Sequence, residues 1–378
     1  MYLDLTESQQ MLRAAAKDFL ASACPLQVVR EFEKNPEAHR SRLWDHLVEL
    51  GWTGLVIPEQ YGGLGGSFSD LVVLLEETGR ALLPGPFFSS TVLFSLPLLT
   101  FSSPGQNDHL LEQLAAGEVK GTLAISEPSG SYHFSDVQTR ASPSEKGPNG
   151  FTLTGTKLFV PDARISDYFL IATVARSSKD NPLGVFLVNS DRPGVEITDL
   201  ETFTNDGQSQ IKLDSIYIPA SYSLTQVSSG EAVLSKALEW ASVAKCAEML
   251  GCAQAILELV IAYTKQREQF GRPIGTFQAI QHYCANMATD LEGARIVTYR
   301  AAWKISTGTT SEMESSVAKS WVSSIASRLV YLAHQSFGAI GFTQDHDLQL
   351  FTRRLKAGEI AFGDEFFHNS KIADFLGL

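Results

Sequence analysis

Arg267-Glu-Gln-Phe270-Gly271-Arg-Pro273-Ile-Gly275-Thr-Phe-Gln278 separates two long helical tracts. Two glycines and a proline between Arg267 and Thr276 do not continue a helix, so this stretch reads as the turn between antiparallel helices. Upstream, Glu231 to about Gln266 holds no proline, and Leu250, Ile256, Leu257 and Val260 give it an apolar stripe at helical spacing. All fifteen prolines of the chain lie at or before Pro273. Roughly the last hundred residues therefore read as packed helices.

The N-terminal third also reads as helical. Thr6-Glu-Ser-Gln9 has the form of a helix cap, with Met11, Leu12, Ala15, Phe19 and Leu20 expected on the buried face. Pro58 to Gly66, with four glycines in its last five positions, reads as a loop. Asp70 to Leu82 returns to helix, and Pro84-Gly-Pro86 ends it.

The middle changes period. Thr122–Ser126, Phe151–Lys157, Tyr168–Val174, Gly184–Val188, Gln210–Asp214 and Ser215–Ile218 are short apolar or alternating runs that read as strands. Gly147-Pro-Asn-Gly150 and Asp191-Arg-Pro-Gly194 read as turns between them. The expected architecture is α+β, with an N-terminal helical domain over 1–118, a middle antiparallel β domain over 119–225, and a C-terminal four-helix-type bundle over 226–378.

With 44% apolar and 19% charged residues, the 378-residue chain is long enough for two or three domains with substantial cores. A formal charge of −12 disfavours nucleic acid as a partner, because phosphate attraction requires clustered Lys and Arg. Met1-Tyr-Leu-Asp-Leu lacks a basic segment followed by an apolar core, and no unbroken apolar run reaches the length of a membrane span. Cys24, Cys246, Cys252 and Cys284 show no metal-ligand spacing and read as free thiols, which points to a cytoplasmic location. His282, His334 and His368 likewise lack ligand spacing and read as structural or surface residues, so no metal is expected.

About sixty residues after the opening stretch comes Gln335-Ser-Phe-Gly338-Ala-Ile-Gly341-Phe342. Together the two stretches resemble the cofactor-contacting signatures of the acyl-CoA dehydrogenases, FAD-dependent enzymes that desaturate acyl thioesters. The resemblance spans nearly the whole chain in the family's domain order. It implies that Arg267 meets the FAD pyrophosphate and that Phe270 packs near the adenosine. It also places Gln278, Gln335, Gly338 and Gly341 against the adenine dinucleotide moiety. A guanidinium suits that task because its planar donors bind two phosphate oxygens at once. In the family these contacts serve the flavin held by a neighbouring subunit.

Flavin-ring contacts are expected in the β domain. Ser126-Glu127-Pro128 resembles the family's Thr-Glu-Pro, with Ser126 beside the ring. Thr154-Gly-Thr-Lys157-Leu-Phe159-Val-Pro161-Asp162 resembles its Asn-Gly-x-Lys-x-Trp-Ile-Thr-Asn. Phe159 then stands for the aromatic that covers the ring, and Pro161 replaces a residue whose hydroxyl and amide meet the flavin edge. Proline supplies neither donor.

The family's base is a Glu before a Gly, and counting from Gln335 reaches Phe362-Gly363, where no carboxylate stands. Glu239, Asp364 and Glu365 are the alternative carboxylates, and Glu248 reads as a buried structural one. The resemblance leaves two readings. One is a subunit, in a heterotetramer with a related chain, that completes the partner's FAD site. The other is a self-sufficient homo-oligomer using Glu239 or Asp364, with a flavin oxidase or monooxygenase as a more distant alternative. Acyl-CoA as substrate, an electron-transfer flavoprotein as acceptor and a role in fatty acid or lipid degradation are what the family implies.

Overall fold

The computed structural model describes residues 4–35, 37–144, 149–175, 183–226 and 229–378. The Gly147-Pro148 half of one expected turn lies outside them.

In chain order the elements begin with helices α1 (Glu7–Ala23), α2 (Leu26–Lys34), α3 (Glu37–Glu49), α4 (Phe68–Arg80), α5 (Leu96–Phe101) and α6 (Asp108–Ala115). Strands follow as β1 (Gly121–Ala124), β2 (Arg140–Pro143), β3 (Gly150–Pro161), β4 (Tyr168–Ala175), β5 (Leu183–Asn189), β6 (Val195–Asp199) and β7 (Gln208–Pro219). The 37-residue α7 (Gly230–Gln266) leads to the small pair β8 (Glu268–Gln269) and β9 (Arg272–Pro273). Then come α8 (Gln278–Ser306), α9 (Glu312–Phe337), α10 (Leu348–Ile360) and α11 (Glu365–Phe375). By length and apolar content α7 matches a membrane span, yet 61% of its most apolar window is buried within the protein, as in a core helix.

The chain divides into two compact units that cut across sequence order. One unit comprises residues 1–31, 67–83 and 242–378. Its helix α1 opens on a capping box: Gln9 N donates to Thr6 Oγ1 at 3.2 Å, and Thr6 N donates to Gln9 Oε1 at 3.1 Å. The buried face of α1 differs from the expected one. Ala16 and Leu20 are buried, Leu12 and Phe19 partly so, while Ala15 is exposed and Met11 is 67% exposed. Periodicity sets the width of an apolar stripe, but the partner selects its centre. Here that partner is α4, toward which Arg13 and Gln9 extend to Glu76 and Asp70. Helices α4 and α7 cross at backbone contact. A Cβ on Gly79 would lie 2.1 Å from Glu248 O, and one on Gly251 would lie 1.7 Å from Glu76 O. Glu248 itself is half-buried and paired with Lys245, not fully buried as the apolar stretch implied.

The other unit comprises residues 32–66 and 84–241. Its seven-stranded sheet has the order β1-β4-β2-β3-β7-β6, with β5 also on β4. The sheet is not purely antiparallel, because β4 runs parallel to both β1 and β2. The runs at Gln210–Asp214 and Ser215–Ile218 belong to the single strand β7, which Ser215 crosses at φ 53°. Leu153, Val160, Phe169, Ile171, Val188 and Ile211 form the centre of the apolar core. Beyond Pro86 lies a buried π-helical turn, Ser89–Ser95, which leads directly into α5. Register in β3 is broken between Leu153 and Gly155 and again between Lys157 and Val160. Such bulges re-aim side chains, and the second one holds Phe159 at φ 53° and 56% exposed.

Candidate functional site

The stretch after α7 folds as a tight hairpin. Gln269 pairs with Arg272 across a turn in which both Phe270 and Gly271 have positive φ. That geometry thrusts Phe270 outward, 91% exposed, with its ring edge-on to Phe277 at 6.0 Å. Arg272 occupies the face of Phe277 at 4.2 Å. Arg267 and Gln278 are exposed. Among the described residues neither side chain has a hydrogen bond or ion pair within the chain, so both are available to a ligand.

The second stretch lies at the end of α9 in the same unit. Tyr263, one turn before Arg267, stacks on Phe337 at 4.5 Å and donates to its carbonyl at 3.5 Å. This contact joins the two stretches that the sequence separates by about sixty residues. Gln335 is exposed and Gly338 adopts φ 67°, ψ −145°, a backbone region essentially restricted to glycine. A Cβ on Gly338 would meet nothing within 4 Å, so its main chain is open to a ligand. Gly341 is different: it is buried, and a Cβ there would lie 2.9 Å from Phe337 Cβ. Its need for glycine is thus also one of packing.

In the other unit, Ser126 and the β3 bulge are tied together by Leu158 N donating to Ser126 O at 2.9 Å. Behind them lies a fully buried pair, Lys157 Nζ to Glu127 Oε1 at 2.6 Å, with Lys157 also donating to Ile125 O at 3.1 Å. Glu127 further accepts from Gln138 N, Thr139 N and Thr139 Oγ1. Burial works to raise its pKa. The Lys157 ammonium and these bonds outweigh burial and hold the carboxyl below its usual range. Both residues stand in the quoted motifs, but sequence reading missed their pairing. The available signal was a lysine at an inward position of an alternating strand. Phe159 is exposed at the bulge, and Pro161 ends β3 without an amide donor.

The turn where the base was sought is intact. Phe362 and Gly363 both have positive φ, 60° and 101°. The Phe362 carbonyl accepts from His368 Nε2 at 3.1 Å and from Ser242 Oγ at 3.3 Å. Asp364 caps α11, its Oδ1 accepting from Phe367 N at 2.8 Å. Glu365 opens that helix, and Glu239 is buried and paired with Lys236 at 2.7 Å. Asp364 and Glu239 each already have a structural partner. Of the histidines, His282 is exposed and His334 donates to or accepts from Thr352 Oγ1 at 3.0 Å. Cys24, Cys246 and Cys252 are buried, with thiols pushed up by burial, and Cys284 is half-buried.

His368 donates through Nε2, so Nδ1 carries a lone pair, buried and without a partner. Burial, followed by the Lys319 charge, pushes its pKa down to about 4. Between about pH 4 and 6.5 the unfolded chain binds a proton that the fold refuses, so stability rises with pH across this window and is lost as pH falls. The loss from pH 7 to pH 4 is expected to be on the order of 3 kcal/mol. His368→Gln, which keeps a donor but does not titrate there, is expected to flatten that dependence in denaturant titrations at stepped pH.

Three family models account for the chain in order: the acyl-CoA dehydrogenase N-terminal domain over 6–118, the middle domain over 122–216, and the C-terminal domain over 228–377. The chain belongs to the acyl-CoA dehydrogenase family. A probable acyl-CoA dehydrogenase, YngJ, of Bacillus subtilis is 29% identical over 370 residues, covering 96% of each chain. The butyryl-CoA dehydrogenase of Megasphaera elsdenii superimposes with a TM-score of 0.92 at 25% identity, over 100% of both chains. The ChsE4-ChsE5 complex of Mycobacterium tuberculosis gives 0.90 at 25% identity, covering 100% of this chain and 99% of that one. Acyl-CoA dehydrogenases are FAD-dependent oxidoreductases acting on CH–CH bonds. The exposed, unpaired Arg267 and the open main chain at Gly338 suit an anionic dinucleotide.

Proposed function

We propose that this acyl-CoA dehydrogenase chain is the non-catalytic subunit of a heterotetramer, and that it completes the FAD site of a related, catalytic chain. The observation that carries this reading is a division within the molecule. Arg267, Phe270, Gln278, Gln335 and Gly338 are solvent-facing and unclaimed, while the intact base turn presents Phe362. When bound, FAD supplies the hydride-accepting centre. This chain contributes Arg267 to the pyrophosphate, Phe270 to the adenosine side, and Gln278, Gln335 and the Gly338–Gly341 backbone to the rest of the dinucleotide. Ser126 and Phe159 mark the ring position in its own β-containing unit, which holds no flavin in this reading. The existence of a solved relative as a complex of two differently named chains supports the heteromeric reading. An acyl-CoA substrate, an electron-transfer flavoprotein as acceptor, a cytoplasmic location and a role in lipid degradation complete the proposal.

The test is flavin per chain, by absorbance against protein concentration, together with native mass. Little flavin in the chain alone, rising to about one per two chains when a related chain is co-expressed, is the expected result. One flavin per chain in a homo-oligomer that an acyl-CoA reduces rapidly would sink the proposal.

A further inference from the structure

The turn at 359–363 is held by side chains from three helices, and none of them belongs to the residues the turn displays. Lys319, on α9, is fully buried, and its Nζ donates to Gly363 O at 2.8 Å, Glu359 O at 3.0 Å and Ser323 Oγ at 3.0 Å. His368 from α11 and Ser242 from α7 fix the Phe362 carbonyl between those two. Gly363 makes the close packing possible, since a Cβ there would lie 2.4 Å from Phe367 Cδ1 and 2.7 Å from His368 Nε2.

The unusual feature is the charge. A buried ammonium is costly unless something compensates it, and none of the three acceptors of Lys319 is a carboxylate. The nearby carboxylates are engaged elsewhere. Asp364 caps α11, and Glu359 accepts from Lys356 at 2.6 Å and Ser327 at 3.1 Å. Cys246 and Lys245 on α7 and His368 on α11 are the other titratable groups that face it. The ammonium is thus aimed at an arc of carbonyls, and the residue mounted on that arc is Phe362.

We infer that Lys319 is a positioning residue for charge at position 362. The turn is a ready seat for a carboxylate, and Lys319 keeps a carboxylate placed there ionised, in its proton-accepting form. The meaning of the seat rests on reading position 362 as the place of the family's base. Its test involves neither flavin nor a partner chain, so it stands or fails apart from the heteromeric proposal. A base is useful only while unprotonated, and a positive charge bonded to the carbonyls of the turn that carries it lowers its pKa. The substitution of phenylalanine has removed the carboxylate and left the cation in place.

The experiment uses the full chain carrying Phe362→Glu, labelled with carbon-13 at glutamate carboxyls. The one resonance added relative to the parent protein is titrated, and the titration is repeated with Lys319→Gln added, which keeps a donor but removes the charge. The introduced carboxylate is expected to titrate at least about one pKa unit higher once the charge is gone, a tenfold change in its protonation equilibrium. A purely structural lysine would leave the midpoint unmoved, and equal midpoints would overturn the inference. If the doubly substituted chain does not fold, Phe362→Glu is compared with Phe362→Gln, both with Lys319 intact. A depressed carboxylate makes the Phe362→Glu chain gain unfolding stability over its partner variant from pH 4 to 7. A falling difference over that range would overturn the inference.

Discussion

Arg267→Ala is expected to weaken FAD binding by the proposed complex about 10- to 100-fold. Hydrogen bonds to charged groups contribute about 1.5–3 kcal/mol, and each 1.4 kcal/mol is tenfold in affinity. The guanidinium is exposed and makes no bond within the chain, so its removal leaves the fold undisturbed. The loss therefore belongs to the ligand alone. Fluorescence titration of the flavin-stripped complex reads it directly, and an unchanged thermal midpoint of the separate chain provides the control. Arg267→Lys restores the charge but not the planar fork, and only part of the affinity is expected to return. Full affinity in the alanine variant would remove Arg267 from the cofactor site.

Lys157→Met is expected to destabilise the sheet-containing unit by about 3–5 kcal/mol, the usual consequence of leaving one member of a buried ion pair alone. Glu127 is 5% exposed and would retain its charge among Thr139 donors with no cation nearby. Adding Glu127→Gln to the same chain is expected to recover part of the loss, because the orphaned charge disappears. Denaturant unfolding of the two single variants and the double variant measures the coupling. Strictly additive losses would show that the pair does not act as a unit. A second consequence concerns acid. Glu127 sits below its unfolded pKa, so its contribution is present above that value and is lost as pH falls through the folded one.

Much of the architecture was legible because it rests on local rules. The Thr6–Gln9 box, the break at Pro84–Pro86 and the proline-free C-terminal tract all correspond to observed helix ends. What escaped reading depends on residues far apart in the chain. The parallel pairing of β4 with β1 and β2 is set by crossover connections, and alternation within a strand carries no record of its neighbour's direction. The π-helical turn at Ser89–Ser95 is similar, since two of its buried hydroxyls are satisfied from far along the chain: Ser89 donates to Asp162 Oδ2 and Ser90 accepts from Gly121 N. At the candidate site, the two cofactor stretches were legible as motifs. Their meeting through Tyr263 and Phe337 was not, because an aromatic contact leaves no fixed spacing in sequence. Lys319 was also passed over, although a lysine within Ser-Ser-Val-Ala-Lys-Ser, among small residues, signals a buried cation in need of acceptors.

The turn at Phe362–Gly363 is held by hydrogen bonds from Ser242, Lys319 and His368 to its main-chain carbonyls. Those bonds ask nothing of the side chain at position 362, although the positive φ there, 60°, disfavours β-branched residues. After a gene duplication, one copy can shed the chemistry by a change at this single position and keep the bonds that hold the turn. The same independence runs backward: a lineage that has lost the reaction in this way is one substitution from a carboxylate in the old place.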